Sequence, residues 1–238
     1  MERNTNSLIH KSLEATDGVI GEVEDFYFDD NNWKVRYLVV KTGTWLNERK
    51  VLISPQALLK QPWDEGFFPV NLTKSKVEKS PDIDTDKPVS RQQEAELYGH
   101  YQWGSFEGSG FYAGGSMGVS TPFPVFDNKV VMEAEINDKR ADDDVHLRST
   151  ARIAGYHVHA KDGEIGHVKD FIIDDETWQL KAIVVDTHNW LGGKKVLIPV
   201  GDIKKLQWSE NLVYLTITKS AVNKSPAFEE TNYLHLPV

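Results

Sequence analysis

Asp17-Gly18-Val19-Ile20-Gly21-Glu22-Val23-Glu24-Asp25-Phe26 returns at a spacing of 145 as Asp162-Gly163-Glu164-Ile165-Gly166-His167-Val168-Lys169-Asp170-Phe171. Working outward in the same register, Asp29-Asp30 falls on Asp174-Asp175, Trp33 on Trp178, and Val39-Val40 on Val184-Val185. Trp45-Leu46 meets Trp190-Leu191, and Lys50-Val51-Leu52-Ile53 meets Lys195-Val196-Leu197-Ile198. Trp63 then meets Trp208, Thr73-Lys74-Ser75 meets Thr218-Lys219-Ser220, and Ser80-Pro81 meets Ser225-Pro226. From 17 to 81, roughly 29 of about 65 positions are identical without a gap, far outside chance. Solenoid repeats run about 20–50 residues, so a spacing of 145 marks two copies of one domain.

Each copy reads as β. Residues 34–40 and 179–185 alternate and then turn continuously apolar, a pattern that reads as strand. The cluster Asp29-Asp30-Asn31-Asn32 between two such runs predicts a hairpin turn. Gly21 and Gly166 interrupt their strands, where glycine marks a bulge or a sharp bend. With Gly18, Gly163, Asp25 and Asp170 they form the structural signature of the repeat. Short, bulged strands over about 70 residues close most economically as a small barrel. The expected fold is therefore all-β: two small barrels in tandem, related by a pseudo-two-fold. The first spans 1–82, a linker 83–145, and the second 146–238.

The stretch from Gly163 to Asp175, followed by Trp178 and the run Thr187-His188-Asn189-Trp190-Leu191, resembles the PRC-barrel family, and the first copy carries the same pattern more loosely. That family includes the cytoplasmic domain of the H subunit of photosynthetic reaction centres and the C-terminal domain of a ribosome-maturation factor. The resemblance covers about two thirds of the chain and implies a six-stranded or similar barrel in each copy. It departs from both relatives: this sequence shows neither the membrane helix of the first nor the preceding domain of the second.

In the linker, Ser90-Arg91-Gln92-Gln93 fits a capping box and predicts a short helix near 90–103. Residues 104–118 then hold six glycines together with Phe106, Phe111 and Tyr112. Glycine loses the most entropy on ordering, which favours a flexible tether. The aromatics favour packing on the barrels or on a partner. Asp142-Asp143-Asp144 reads as a solvated acidic run before the second barrel.

The 238 residues carry a net charge of -9, which disfavours nucleic acid and anionic lipid as partners. The basic pairs Lys194-Lys195 and Lys204-Lys205 read as ordinary surface charge. With no cysteine, disulfides and thiolate metal sites are excluded. No apolar run reaches the roughly 18 residues of a membrane helix, or the about 7–15 of a secretory signal. A cytoplasmic protein with no integral membrane segment is expected, with peripheral membrane association left open.

The chemistry-bearing residues lead away from catalysis. His157 and His159 lie two apart on a predicted strand, a spacing that lets imidazoles share a metal. The first copy has Ser12 and Glu14 in their places, so solvated histidines are expected and no metal site is assigned. Paired Asp residues at hairpin turns bond their own backbone more readily than they perform acid–base work. The repeated tryptophans Trp33/Trp178 and Trp63/Trp208 are expected in the packing. Trp45-Leu46 and Trp190-Leu191 fall between strands, the best placement for a contact surface. No catalytic residue and no cofactor is assigned. The expectation is a non-enzymatic scaffold or interaction protein with an unidentified protein partner. Homodimerisation through a strand edge is an added expectation. The alternatives are a peripheral regulator of a membrane electron-transfer complex, like the reaction-centre subunit, and an RNA- or ribosome-associated factor.

Overall fold

The computed structural model of the protein describes residues 1–59, 66–81, 91–103, 147–187 and 193–232. The first copy forms β1 (Glu2–Asn4), β2 (Ser12–Ala15), β3 (Gly18–Asp29), β4 (Lys34–Thr42), β5 (Lys50–Ile53) and β6 (Phe67–Pro69). The second forms β7 (Leu147–Ser149), β8 (His157–Ala160), β9 (Gly163–Asp174), β10 (Gln179–Asp186), β11 (Lys195–Pro199), β12 (Ile203–Gln207) and β13 (Leu212–Leu215). Short helices α1 (Lys74–Glu78) and α4 (Lys219–Asn223) follow β6 and β13, and α3 (Thr150–Ile153) follows β7. Two β-barrels in tandem result. In the first, β3 pairs antiparallel with β2 and β4, β4 with β5, and β2 runs parallel to β6. In the second, β9, β8, β10, β11 and β13 repeat these pairings.

The repeated residues are placed by backbone geometry. A Cβ added at Gly21 would sit 2.1 Å from the Lys41 carbonyl oxygen, and one at Gly166 1.9 Å from that of Asp186. Only a hydrogen fits there, and each glycine stands beside a register shift in its ladder. Asp17 and Asp162, which open the motif, accept backbone N–H bonds from Lys74 and Lys219 at 2.8 and 2.7 Å, pinning α1 and α4 to their barrels.

The barrels meet at their β3–β4 and β9–β10 turns. Val35 donates its N–H to the Trp178 carbonyl and Leu180 donates to that of Trp33, both at 2.8 Å. These two bonds are one bond and its image across a pseudo-two-fold between Lys34 and Gln179, which are paired residues. Trp33 and Trp178 adopt left-handed backbone, φ 60° and 59°, which costs an L-residue about 1–2 kcal/mol. Their rings offset this: Trp33 stacks on Phe28 at 5.3 Å, and Trp178 lies 6.3 Å from Phe26 of the other copy. Phe28 and Phe171 touch across the boundary at 5.9 Å, so most of the buried apolar residues of both barrels form one cluster.

One further connection crosses the domain boundaries read from the sequence. β1 pairs with β9 of the second barrel, and β7 pairs with β3 of the first. Each copy lends its leading segment to the other's sheet, and one continuous sheet of 13 strands runs through both.

The linker helix α2 spans Arg91–Tyr101 and caps the first barrel. Leu97 is fully buried, the Tyr37 hydroxyl donates to Glu94 at 3.0 Å, and Trp103 stacks on Tyr101 at 4.4 Å. The helix was legible in the sequence, whereas its Ser90 cap lies outside the described residues. So do the glycine- and aromatic-rich stretch 104–118, the acidic run 142–144 and Trp63.

Candidate functional site

The two exchanged arms end in matching carboxylate sockets. Asp25 is 9% exposed and accepts from Ser149 Oγ at 2.5 Å, Thr150 Oγ1 at 2.8 Å and the Ala151 N–H at 3.0 Å. Asp170 is 4% exposed and accepts from Asn4 Nδ2 at 2.8 Å, Thr5 Oγ1 at 2.6 Å and the Asn6 N–H at 3.2 Å. Each carboxylate also takes the N–H of the following Phe at 2.7 Å. Arg148 Nε pairs with Asp30 Oδ2 at 2.9 Å, and Arg3 Nε with Asp175 Oδ2 at 2.7 Å. Every donor in one socket stands 145 residues from its counterpart in the other.

Burial raises the pKa of both Asp25 and Asp170 above the usual carboxylate range, and the converging hydroxyl and amide donors only partly oppose it. In the folded chain these side chains anchor the arms. Most of their donors come from the partner copy, so these two recurrent carboxylates act at the junction between the copies.

The sequence signal for the sockets was present but faint. Carrying the register back from Asp17 aligns Arg3 with Arg148 and Thr5 with Thr150, the only identities around the arms' contact atoms. The partners Asp25 and Asp170 were singled out as signature residues, without the arms that fill them.

The remaining sequence candidates are placed as follows. Trp45 and Leu46 are half-buried in a 3-10 turn, where the indole N–H donates to the Ile20 carbonyl at 2.7 Å. The Lys74 ammonium lies 4.5 Å from the Trp45 ring centroid. Trp190 and Leu191 lie outside the described residues. Gly18 and Gly163 take φ of 129° and 130° at the starts of β3 and β9. His157 is exposed, pairs its Nδ1 with Glu164 at 2.8 Å and stands opposite His167. His159 packs 5.8 Å from the Tyr214 ring. Among the described residues no three His, Asp or Glu side chains gather as a metal-binding group. The outer strand β12 carries exposed Lys204 and Lys205, the charge pattern that blunts edge-to-edge pairing.

Beside the Asp25 socket a cleft of about 630 Å³ opens between the second copy's arm and the turn before β13. Arg148, Arg152, Tyr156, Trp208 and Asn211 form its walls, and Tyr27 reaches it from the first barrel. The Arg148 guanidinium carbon stands 3.9 Å from the Trp208 ring centroid, and Tyr156 meets Trp208 edge-on at 6.0 Å. Periodicity could not find this cleft, because it draws on both copies and sets Arg152 and Tyr156, which the repeat does not share, beside Arg148 and Trp208, which it does.

Among the described residues no helix is long and apolar enough to cross a membrane. A family model described as PRC-barrel domain matches residues 2–70 and 150–221. No curated protein matches the chain.

Proposed function

The chain belongs to the PRC-barrel family, with two copies of the domain in tandem, and from that premise we propose that it is a non-enzymatic scaffold that holds a protein partner. The observation that carries this reading is the exchange of arms. It welds two barrels into one body and commits the recurrent carboxylates Asp25 and Asp170 to holding that body together. A device so invested in fixing relative geometry suits a protein that works by presenting a surface. Two lone turnover sites would have no use for it.

The test is affinity capture of the tagged chain from its own cells, split into nuclease-treated and untreated halves. The expected result is a stoichiometric, nuclease-resistant protein partner that is lost when Asp25 and Asp170 are both replaced by Ala. Partners that vanish with nuclease would replace the reading with an RNA-associated one. Turnover of a metabolite by the purified chain would overturn it.

A further inference from the structure

The cleft beside Arg148 has a composition that the junction between the copies does not require. Arg3 makes the same Nε–carboxylate pair in the other copy, so the structural task needs only the arginine and its aspartate. At the positions of Arg152 and Tyr156 the first copy has Ser7 and Lys11. Ser7 bonds the Asn4 carbonyl, and Lys11 lies over Phe68. The second guanidinium and the tyrosine are thus additions of the second copy, and both face one cavity.

Arg148 is held as a receptor group would be. Its Nε is fixed on Asp30, its guanidinium carbon lies over the Trp208 ring, and its side chain is 18% exposed. Neither terminal Nη group donates to a described residue. A guanidinium offers five N–H donors in a rigid fork that matches the oxygens of a carboxylate or phosphate. With its orientation already set by two contacts, little side-chain entropy remains to be lost on binding. Among the described residues no Asp or Glu lines the cleft, in a chain of net charge -9. Tyr156 and Trp208 add an aromatic wall next to the fork. Gly155, at φ 93°, has no heavy atom of a described residue within 4 Å of where a Cβ would stand, which suits an open mouth on that side. The volume falls inside the roughly 300–1,000 Å³ of small-ligand sites.

We propose that this cleft binds a small oxyanion carried on a planar aromatic body, an aryl carboxylate or aryl phosphate. The oxygens lie on the Nη edge of Arg148 with Arg152 beside them, and the ring lies along Tyr156 and Trp208. The site goes beyond the scaffold reading and stands or falls separately from it.

The experiment follows the indole N–H resonance of Trp208, assigned with a Trp208→Phe variant of the full chain. The chain is titrated with naphthoate and with naphthyl phosphate, which separate a carboxylate from a phosphate ligand. Naphthyl methanol and inorganic phosphate supply the ring without the charge and the charge without the ring. Saturable shifts with a Kd of about 1 mM or tighter are expected for at least one aryl anion, with binding at least about tenfold weaker for both controls. Arg148→Lys keeps the charge and loses the fork; Arg152→Ser restores the first copy's residue at an exposed position. Each should weaken binding about tenfold while the other indole resonances stay in place. The proposal is overturned by no saturable shift with either aryl anion up to about ten times that concentration. Equal binding of the neutral alcohol, or full binding by both arginine variants, overturns it as well.

Discussion

The first barrel carries Arg36 and Tyr37 where the second carries Lys181 and Ala182, and that difference decides what covers each one. In the first, the Tyr37 ring is buried and its hydroxyl donates to Glu94 of α2. Arg36 lies 3.6 Å from the same carboxylate, and burial raises the Tyr37 pKa far above its ordinary value. In the second, Lys181 is exposed and Ala182 forms a small apolar patch with Ile172 and Val184. That patch is covered by Leu197 and by Phe228, whose N–H donates to the Lys195 carbonyl. A buried phenol and a buried guanidinium require a polar lid, because their donors must be satisfied. An alanine requires only another apolar side chain. Two barrels with the same ladder thus recruit different covers through a pair of neighbouring positions.

Four measurements would break or sharpen this comparison. The largest effect is expected at the glycines, where the copies agree. Gly21→Ala and Gly166→Ala each force a Cβ into a backbone carbonyl, and either should cost about 4 kcal/mol in urea unfolding or prevent folding. Gly166 also has φ 144°, so its variant should be the worse of the two. Tolerance of either would show that one ladder yields where the other does not.

Next, Asp25→Ala and Asp170→Ala should each lose about 3 kcal/mol, since each strands buried hydroxyl and amide donors of the opposite arm. If the copies are energetically equivalent, the two losses agree within about 1 kcal/mol. A smaller cost follows at the lid. Glu94→Ala removes the acceptor of Tyr37 and should cost about 2 kcal/mol. Hydrogen exchange should then rise in β4 while β10 is unchanged. Loss of protection in both strands would make the lid a property of the whole body.

The smallest effect is on pH dependence. Asp25 and Asp170 have pKa values raised on folding, so the folded chain holds their protons more tightly than the unfolded one. The stability they contribute is full below the ordinary carboxylate pKa of about 4. It is lost as pH rises through their raised values. Asp25→Asn and Asp170→Asn should each flatten that fall, read from urea midpoints at stepped pH. A flattening by only one would mark the two sockets as electrostatically distinct.

Much of this was legible in the sequence, because barrel interiors repeat residue by residue. Gly21 and Gly166 announced the irregularity that appears as a register shift beside each, and the hairpin cluster at 29–32 announced the turn that became the meeting point of the copies. The exchange was not legible. Its contacts join residues such as Thr5 and Asp170, far apart in sequence, and two identities in each arm leave no periodic trace. Trp45 illustrates the other limit. Its position between strands suggested a contact surface, and it gave no sign that the indole N–H of this half-buried ring bonds the Ile20 carbonyl. Sequence position fixes which loop a side chain sits on and leaves open which backbone atom claims it.

The exchanged arms have a consequence for how such a chain arises. Each half lacks the strand and the hydroxyl donors that fill its own socket and carries those that fill the other's. A single copy with this arm would satisfy its carboxylate only by trading arms with a second molecule, and joining two copies in one chain makes that exchange intramolecular. Fusion also frees the two halves to drift apart in sequence, provided that Arg3 changes only with Asp175 and Arg148 only with Asp30. Lineages of such proteins should therefore show correlated change between the head of one half and the middle of the other, and little between the heads themselves.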